Sequence, residues 1–159
     1  EQGLAIGANS AADGLAGRGS LLTPTMLRQA LCSLQSQGRL RRALVVVESC
    51  FGGVFGEAPS GGLEAGCEGG QPLQGTVLLS AASSDENSVA TSYDPTLSVW
   101  LADEFSQQLA RLAEAQPTAT LVDAFKATYI GVRGSHASIY NTPTAGLLSQ
   151  LALREFLSP

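Results

Sequence analysis

Three cysteines and a single histidine limit the chemistry this chain can do. A cysteine thiolate is an intrinsically strong nucleophile, provided a base activates it. Cys50 stands in Glu48-Ser49-Cys50-Phe51-Gly52-Gly53, directly after Ala43-Leu44-Val45-Val46-Val47. That apolar, β-branched run has the composition of a strand buried on both faces. A turn bearing a nucleophile at the C-terminal end of such a strand lies where open α/β sheets place their sites. Gly52 and Gly53 would let a substrate backbone come close. Taken alone, Cys50 also fits an inert packed thiol, because cysteine is among the most buried residue types.

Other constellations fail. Cys32, Cys50 and Cys67 have no zinc-site spacing, and His136 alone cannot complete a Cys/His cage. No metal and no cofactor is expected. The glycines within 9–19 form no phosphate-binding fingerprint, and no Lys follows them. Cys32 falls on an apolar helix face and reads as packed, whereas Cys67 sits in a Gly-rich loop. A disulfide between them stays open at this point, since geometry decides it.

The elements that must hold Cys50 can be read around it. Residues 3–7 suggest a short strand, and 9–19 a loop. Thr23-Pro24 opens a helix, with Thr as cap and Pro in the first turn. Leu27, Ala30, Leu31 and Leu34 then share one face, and Gly38 is a stop. Residues 52–75 are rich in Gly, Pro and Glu without periodicity, which predicts a long functional or mobile loop. Thr76-Val77-Leu78-Leu79-Ser80 reads as a second buried strand, followed by a polar stretch over 83–94. A helix is expected over about 97–115, with Trp100, Leu101, Phe105, Leu109 and Leu112 as its stripe. A later start, near Asp103, also fits. Pro117 breaks this helix, another runs over about 120–132, and Gly134 ends it. An edge strand over 135–140 and a terminal helix over 147–157 complete the chain. This alternation predicts the α/β class, with helices on both sides of a sheet, and one domain over 1–159.

Bulk properties narrow the partners. The net charge of −5 argues against a nucleic-acid partner, and Arg39, Arg41 and Arg42 read as a solvated helix end. The apolar fraction of 44% is too high for disorder. No apolar run approaches the ~18–20 residues of a membrane span. The N-terminus has no basic region followed by an apolar one, so no signal peptide is expected. The chain begins inside a strand without Met, which leads us to expect further sequence upstream. High Ala, Gly, Leu and Arg content suits a GC-rich bacterial source; a cytoplasmic or a secreted location fits equally.

Longer stretches carry a family resemblance. Val45-Val46-Val47-Glu48-Ser49-Cys50-Phe51-Gly52-Gly53 resembles the caspase-type pattern of apolar strand, Glu or Gln, small residue, Cys and Gly-containing turn. Glu two places before Cys points, within that clan (clan CD), to the legumain family, peptidase family C13, and its relative, the catalytic subunit of the GPI transamidase. The next strand of the family resembles 76–82, which ends in Ala81-Ala82. Its pocket-lining segment resembles Asp85-Glu86-Asn87-Ser88-Val89-Ala90-Thr91-Ser92-Tyr93-Asp94. Without a gap, Leu101-Ala102-Asp103-Glu104-Phe105-Ser106 resembles a Leu-Gly-Asp-aromatic-Ser element, and Ser135-His136-Ala137 a Ser-His-Val. The likeness runs from Gly3 to about Asn141. It departs at Phe51, where the family is more polar, and at Val89, where it has Tyr.

The resemblance implies a caspase-like three-layer α/β/α fold with a mostly parallel sheet. It implies a cysteine endopeptidase working through a Cys–His dyad and a thioester acyl-enzyme. Cys50 would be the nucleophile and its N–H an oxyanion donor. Glu48 and Asp103 would floor the S1 pocket, Asn87 and Ser88 would wall it, and Gly52 and Gly53 would form the turn. Family members favour Asn at P1, and Asp at low pH, because acidic groups there are mixed with an Arg. No such Arg is identifiable here, so Glu48 and Asp103 would equally suit Lys or Arg. A transamidase and a catalytically inactive binding or regulatory relative are the other readings. The partners implied are a peptide or protein substrate and a second chain from the same precursor. By residue type alone, Glu48 also fits a strand-end carboxylate bonded to a loop, and Asp103 a solvated helix face.

The base is missing. In the caspase clan the catalytic His lies roughly 50 residues before the Cys, in a His-Gly turn. Counting back from Cys50 ends just before Glu1. His136 instead matches the later Ser-His-Val, where a structural role is expected. The base would therefore come from upstream of residue 1.

Overall fold

The computed structural model describes the backbone of residues 4–6 and 157 and all of residues 22–156. The loop expected over 9–19 lies outside them. Four strands form the main sheet in the order β1-β2-β3-β6: β1 (Leu4–Ile6), β2 (Ala43–Val47), β3 (Thr76–Ser80) and β6 (Ser138–Tyr140). β1, β2 and β3 run parallel, with Leu4 opposite Val45 and Val47 opposite Ser80. β6 is antiparallel to β3 at the sheet edge. A separate antiparallel pair joins β4 (Ala90–Asp94) to β5 (Val99–Asp103).

Alternation along the strands sends side chains into two apolar clusters. Leu44, Val77 and Leu79 pack with Phe105, Leu109, Leu121 and Ala124. These last four come from α2 (Glu104–Ala115) and α3 (Leu121–Gly131). Val45, Val47 and Leu78 pack instead with Leu27 and Leu31 of α1 (Pro24–Ser36), and with Phe55, Leu63 and Leu73. Both faces of β2 and β3 are thus covered, which is why their sequences are apolar runs and not alternating ones.

Local signals set the helix starts. Thr23 Oγ1 accepts from Met26 N and Pro24 occupies the first turn of α1. Thr120 and Asp123 form a reciprocal capping box at α3. The helix expected over 97–115 begins only at Glu104, capped by Asp103, whose Oδ1 accepts from Phe105 N at 2.9 Å. Val99, Trp100 and Leu101 belong to β5. Asp94 Oδ1 accepts from Thr96 N and Leu97 N, turning the chain between β4 and β5, and Tyr93 stacks on Trp100 across the pair. The expected terminal helix is likewise shorter: only α4 (Arg154–Leu157) is α-helical. Before it, Leu121 N donates to Leu151 O and Leu153 N to Ala119 O, so residues 151–153 are drawn out as a partner to the start of α3.

The segment between η-turn residues 52–55 and β3 is long but anchored. Leu63 and Leu73 are fully buried within it. Arg28 Nε donates to Gly61 O at 3.0 Å, and Gln35 both accepts from Gln74 N and donates to Pro72 O. A Cys32–Cys67 disulfide, with Cα atoms 5.6 Å apart, ties it to α1. A surface concavity of about 680 Å³ lies against this disulfide; its lining includes Arg28, Ser33 and Glu68 and no residue of the Cys50 turn.

Candidate active site

The parallel register brings the C-terminal ends of β2 and β3 side by side, and Ala81 N continues the ladder to Val47 O. The turns leaving those strands therefore meet. Phe51 N donates to Glu86 O at 2.7 Å, joining the Cys50 turn to the segment over 83–88. Cys50 is the one free cysteine and is half-buried. Its Sγ lies 3.9 Å from Ser88 Oγ and 4.0 Å from Ser88 O, at the outer range of contacts to sulfur.

The turn is tightly specified. Phe51 has a left-handed backbone, φ 59°, which is uncommon for a bulky residue. Gly52 N donates back to Ser49 O. Because a trans peptide points its C=O and N–H in opposite directions, Cys50 N–H faces away from that bond. Among the described residues it donates to no backbone carbonyl. Both glycines are buried. A Cβ on Gly53 would meet Ser84 N and Tyr140 Oη at 2.6 Å, and one on Gly52 would meet Ser80 Oγ. The close approach the glycines permit is thus one within the chain.

The remaining sequence-predicted residues are placed in different ways. Glu48 is half-buried, and its Oε1 is buried with no hydrogen-bond partner among the described residues. A buried carboxylate oxygen without a hydrogen-bond partner is costly. Asn87 is exposed. Asp103 is buried and caps α2, so it does not lie on a solvated helix face. Its pairing with Ala90 sets it at the base of the β4/β5 hairpin, two residues from Ser88.

His136 is occupied elsewhere. Its Nδ1 pairs with Glu86 Oε2 at 2.8 Å, and its backbone N donates to Glu86 Oε1 at 2.7 Å. Glu86 Oε1 also accepts from Ser83 N. Burial acts to raise the Glu86 pKa, but the hydrogen bonds from Ser83 and His136 outweigh it and hold the carboxyl at about 2. The hydrogen bond to Glu86, and then its charge, raise the pKa of His136. Sequence reasoning placed Glu86 in the stretch resembling the pocket-lining segment but gave it no role of its own, and no local signal links it to a residue fifty positions away. Among the described residues, no group of three or more His, Cys, Asp or Glu side chains could hold a metal, and no helix is long and apolar enough to cross a membrane.

A buried parallel strand ending in a free thiol, beside an N–H that has no backbone acceptor among the described residues, has the form of a thiol-dependent acyl-transfer site. A family model described as Peptidase C13 family matches residues 11–158. The chain belongs to this family of legumain-like cysteine peptidases of clan CD, which are hydrolases that act on proteins. A search of curated proteins finds no match.

Proposed function

We propose that the chain carries the nucleophile half of a cysteine endopeptidase site in a caspase-like, three-layer domain. The observation that carries this reading is the turn itself: a free, half-buried Cys50 thiol whose own N–H has no backbone acceptor among the described residues. The Sγ thiolate attacks the scissile carbonyl, and the oxyanion forms against Cys50 N–H. The C–N bond breaks, the amine leaves with a proton from the base, and a thioester remains. Water then adds to the thioester, and the carboxylate product departs as the thiol is restored. The base is a His from upstream of residue 1, in the same chain or a second one, since His136 is engaged with Glu86.

Glu48, Asp103, Asn87 and Ser88 form the pocket for the P1 side chain. The family preference is Asn or Asp. Glu48 Oε1, without a hydrogen-bond partner among the described residues, favours a second reading, Lys or Arg at P1, because it is an acceptor open to a donor. The test is a panel of peptidyl acyloxymethyl ketones with Asn, Asp, Lys or Arg at P1, applied to the complete protein. Labelling at Cys50, lost in Cys50→Ala, is expected from one class of probe, and that class gives the specificity. No labelling by any of them would leave a non-catalytic binding module.

A further inference from the structure

Two bonds orient the Cys50 turn. Gly52 N donates to Ser49 O within the turn, and Phe51 N donates to Glu86 O outside it. The second holds the Cys50–Phe51 peptide, with Phe51 already in a left-handed conformation that needs outside support. The position of the Glu86 carbonyl therefore bears on where Cys50 sits. Three N–H donors fix Glu86 in turn: Ser83 N and His136 N on Oε1, and His136 Nδ1 on Oε2. The His136 donors come from the lead-in to β6, and the adjacent Ser135 Oγ is anchored to Ala81 O. One residue thus ties together the nucleophile turn, the segment bearing Asn87 and Ser88, and the edge strand.

We propose that Glu86 is a positioning residue for the nucleophile, its carbonyl holding the Cys50 turn while its carboxylate, gripped by Ser83 and His136, holds that carbonyl. This rests on Cys50 being the nucleophile. A carboxylate suits the role because it accepts from His136 whether the imidazole is neutral or charged. An amide does not. Glu86→Gln would present one acceptor oxygen to Ser83 N and His136 N, and its NH₂ to His136 Nδ1. That arrangement works only while Nδ1 is unprotonated. Once the imidazole is charged, donor faces donor, and flipping the amide moves the clash onto the two backbone N–H groups. Among the described residues, the other charged group acting on His136 is Asp85, whose side chain accepts from Ser83 Oγ.

The experiment uses the complete protein and the probe that labels wild-type Cys50, with rates followed from about pH 8 to about pH 5, the range over which a His titrates. The ratio of wild-type to Glu86→Gln rates is expected to rise about two- to fivefold across this range, the scale of an exposed ion pair. In the double variant Glu86→Gln/His136→Ala that rise should vanish. Melting curves at each pH confirm that the variants are folded, and iodoacetamide alkylation reports thiol reactivity without substrate positioning. A flat ratio, or the same rise in the double variant, overturns the proposal and leaves the peptidase reading intact. If no probe labels the wild type, the peptidase reading fails. Hydrogen exchange at Phe51 N–H then decides the positioning claim: weaker protection in Glu86→Gln than in wild type at about pH 5 supports it, and equal protection overturns it.

Discussion

Gly53 illustrates how little freedom the residues beside the thiol have. The atoms a Cβ would strike include the backbone of Ser83 and Ser84, which cannot rotate away as a side-chain tip could. Gly53→Ala is expected to cost about 1–3 kcal/mol, the usual range for overpacking, and to show as a lower urea midpoint. A midpoint unchanged from wild type would mean that the two turns are not in contact. Phe51 carries the opposite burden: it is a bulky residue in a left-handed conformation, held there by a bond to Glu86 O and still substantially exposed. Backbone strain of this kind clusters at functional sites. It also accounts for the family departure at Phe51, since an exposed side chain there is free to vary in polarity.

At the scale of elements, Asp103 joins the β4/β5 hairpin to α2. Asp103→Ser keeps a cap side chain and removes the carboxylate, whereas Asp103→Ala removes both. Asp103→Ala is expected to lose about 1 kcal/mol of stability, and Asp103→Ser much less, as measured by chemical denaturation. If Asp103 also floors the pocket, both variants shift the P1 preference equally; a shift in neither would confine it to capping. Legibility followed locality. The Val-rich β2 and the Thr-Pro start of α1 announce themselves through contiguous residues, and so does the placement of Cys50. Trp100 and Leu101 fit a helical stripe as well as a strand, and only cross-strand partners such as Tyr93 separate the two. Residues 151–153 are extended because of bonds to 119 and 121, which no local pattern reveals. The contact between Phe51 and Glu86 was hidden for the same reason.

For the whole molecule, the Glu86–His136 pair makes stability depend on pH in a definite direction. The Glu86 pKa of about 2 lies below its ordinary 4.5, so its contribution is present above 4.5 and is lost as pH falls towards 2. The His136 pKa lies above its ordinary 6.5, so its contribution is full below 6.5 and is lost as pH rises through the folded value. The pair therefore contributes most between 4.5 and 6.5. The difference in urea midpoint between wild type and His136→Ala is expected to be largest near about pH 5.5 and to narrow by about pH 9 and by about pH 3. A difference that stays constant would mean the imidazole adds nothing to the fold through its charge.

The Cys32–Cys67 bond has a practical consequence. Thiol hydrolases are ordinarily assayed with excess dithiothreitol, which keeps the attacking sulfur from oxidising. Here the same reagent can open the bridge that anchors the long segment to α1 and leave three thiols in place of one. A weak turnover number recorded in such a buffer would then mix two effects, a protected nucleophile and a loosened scaffold. Mild, titrated reductant, with thiols counted before each run, keeps the two apart.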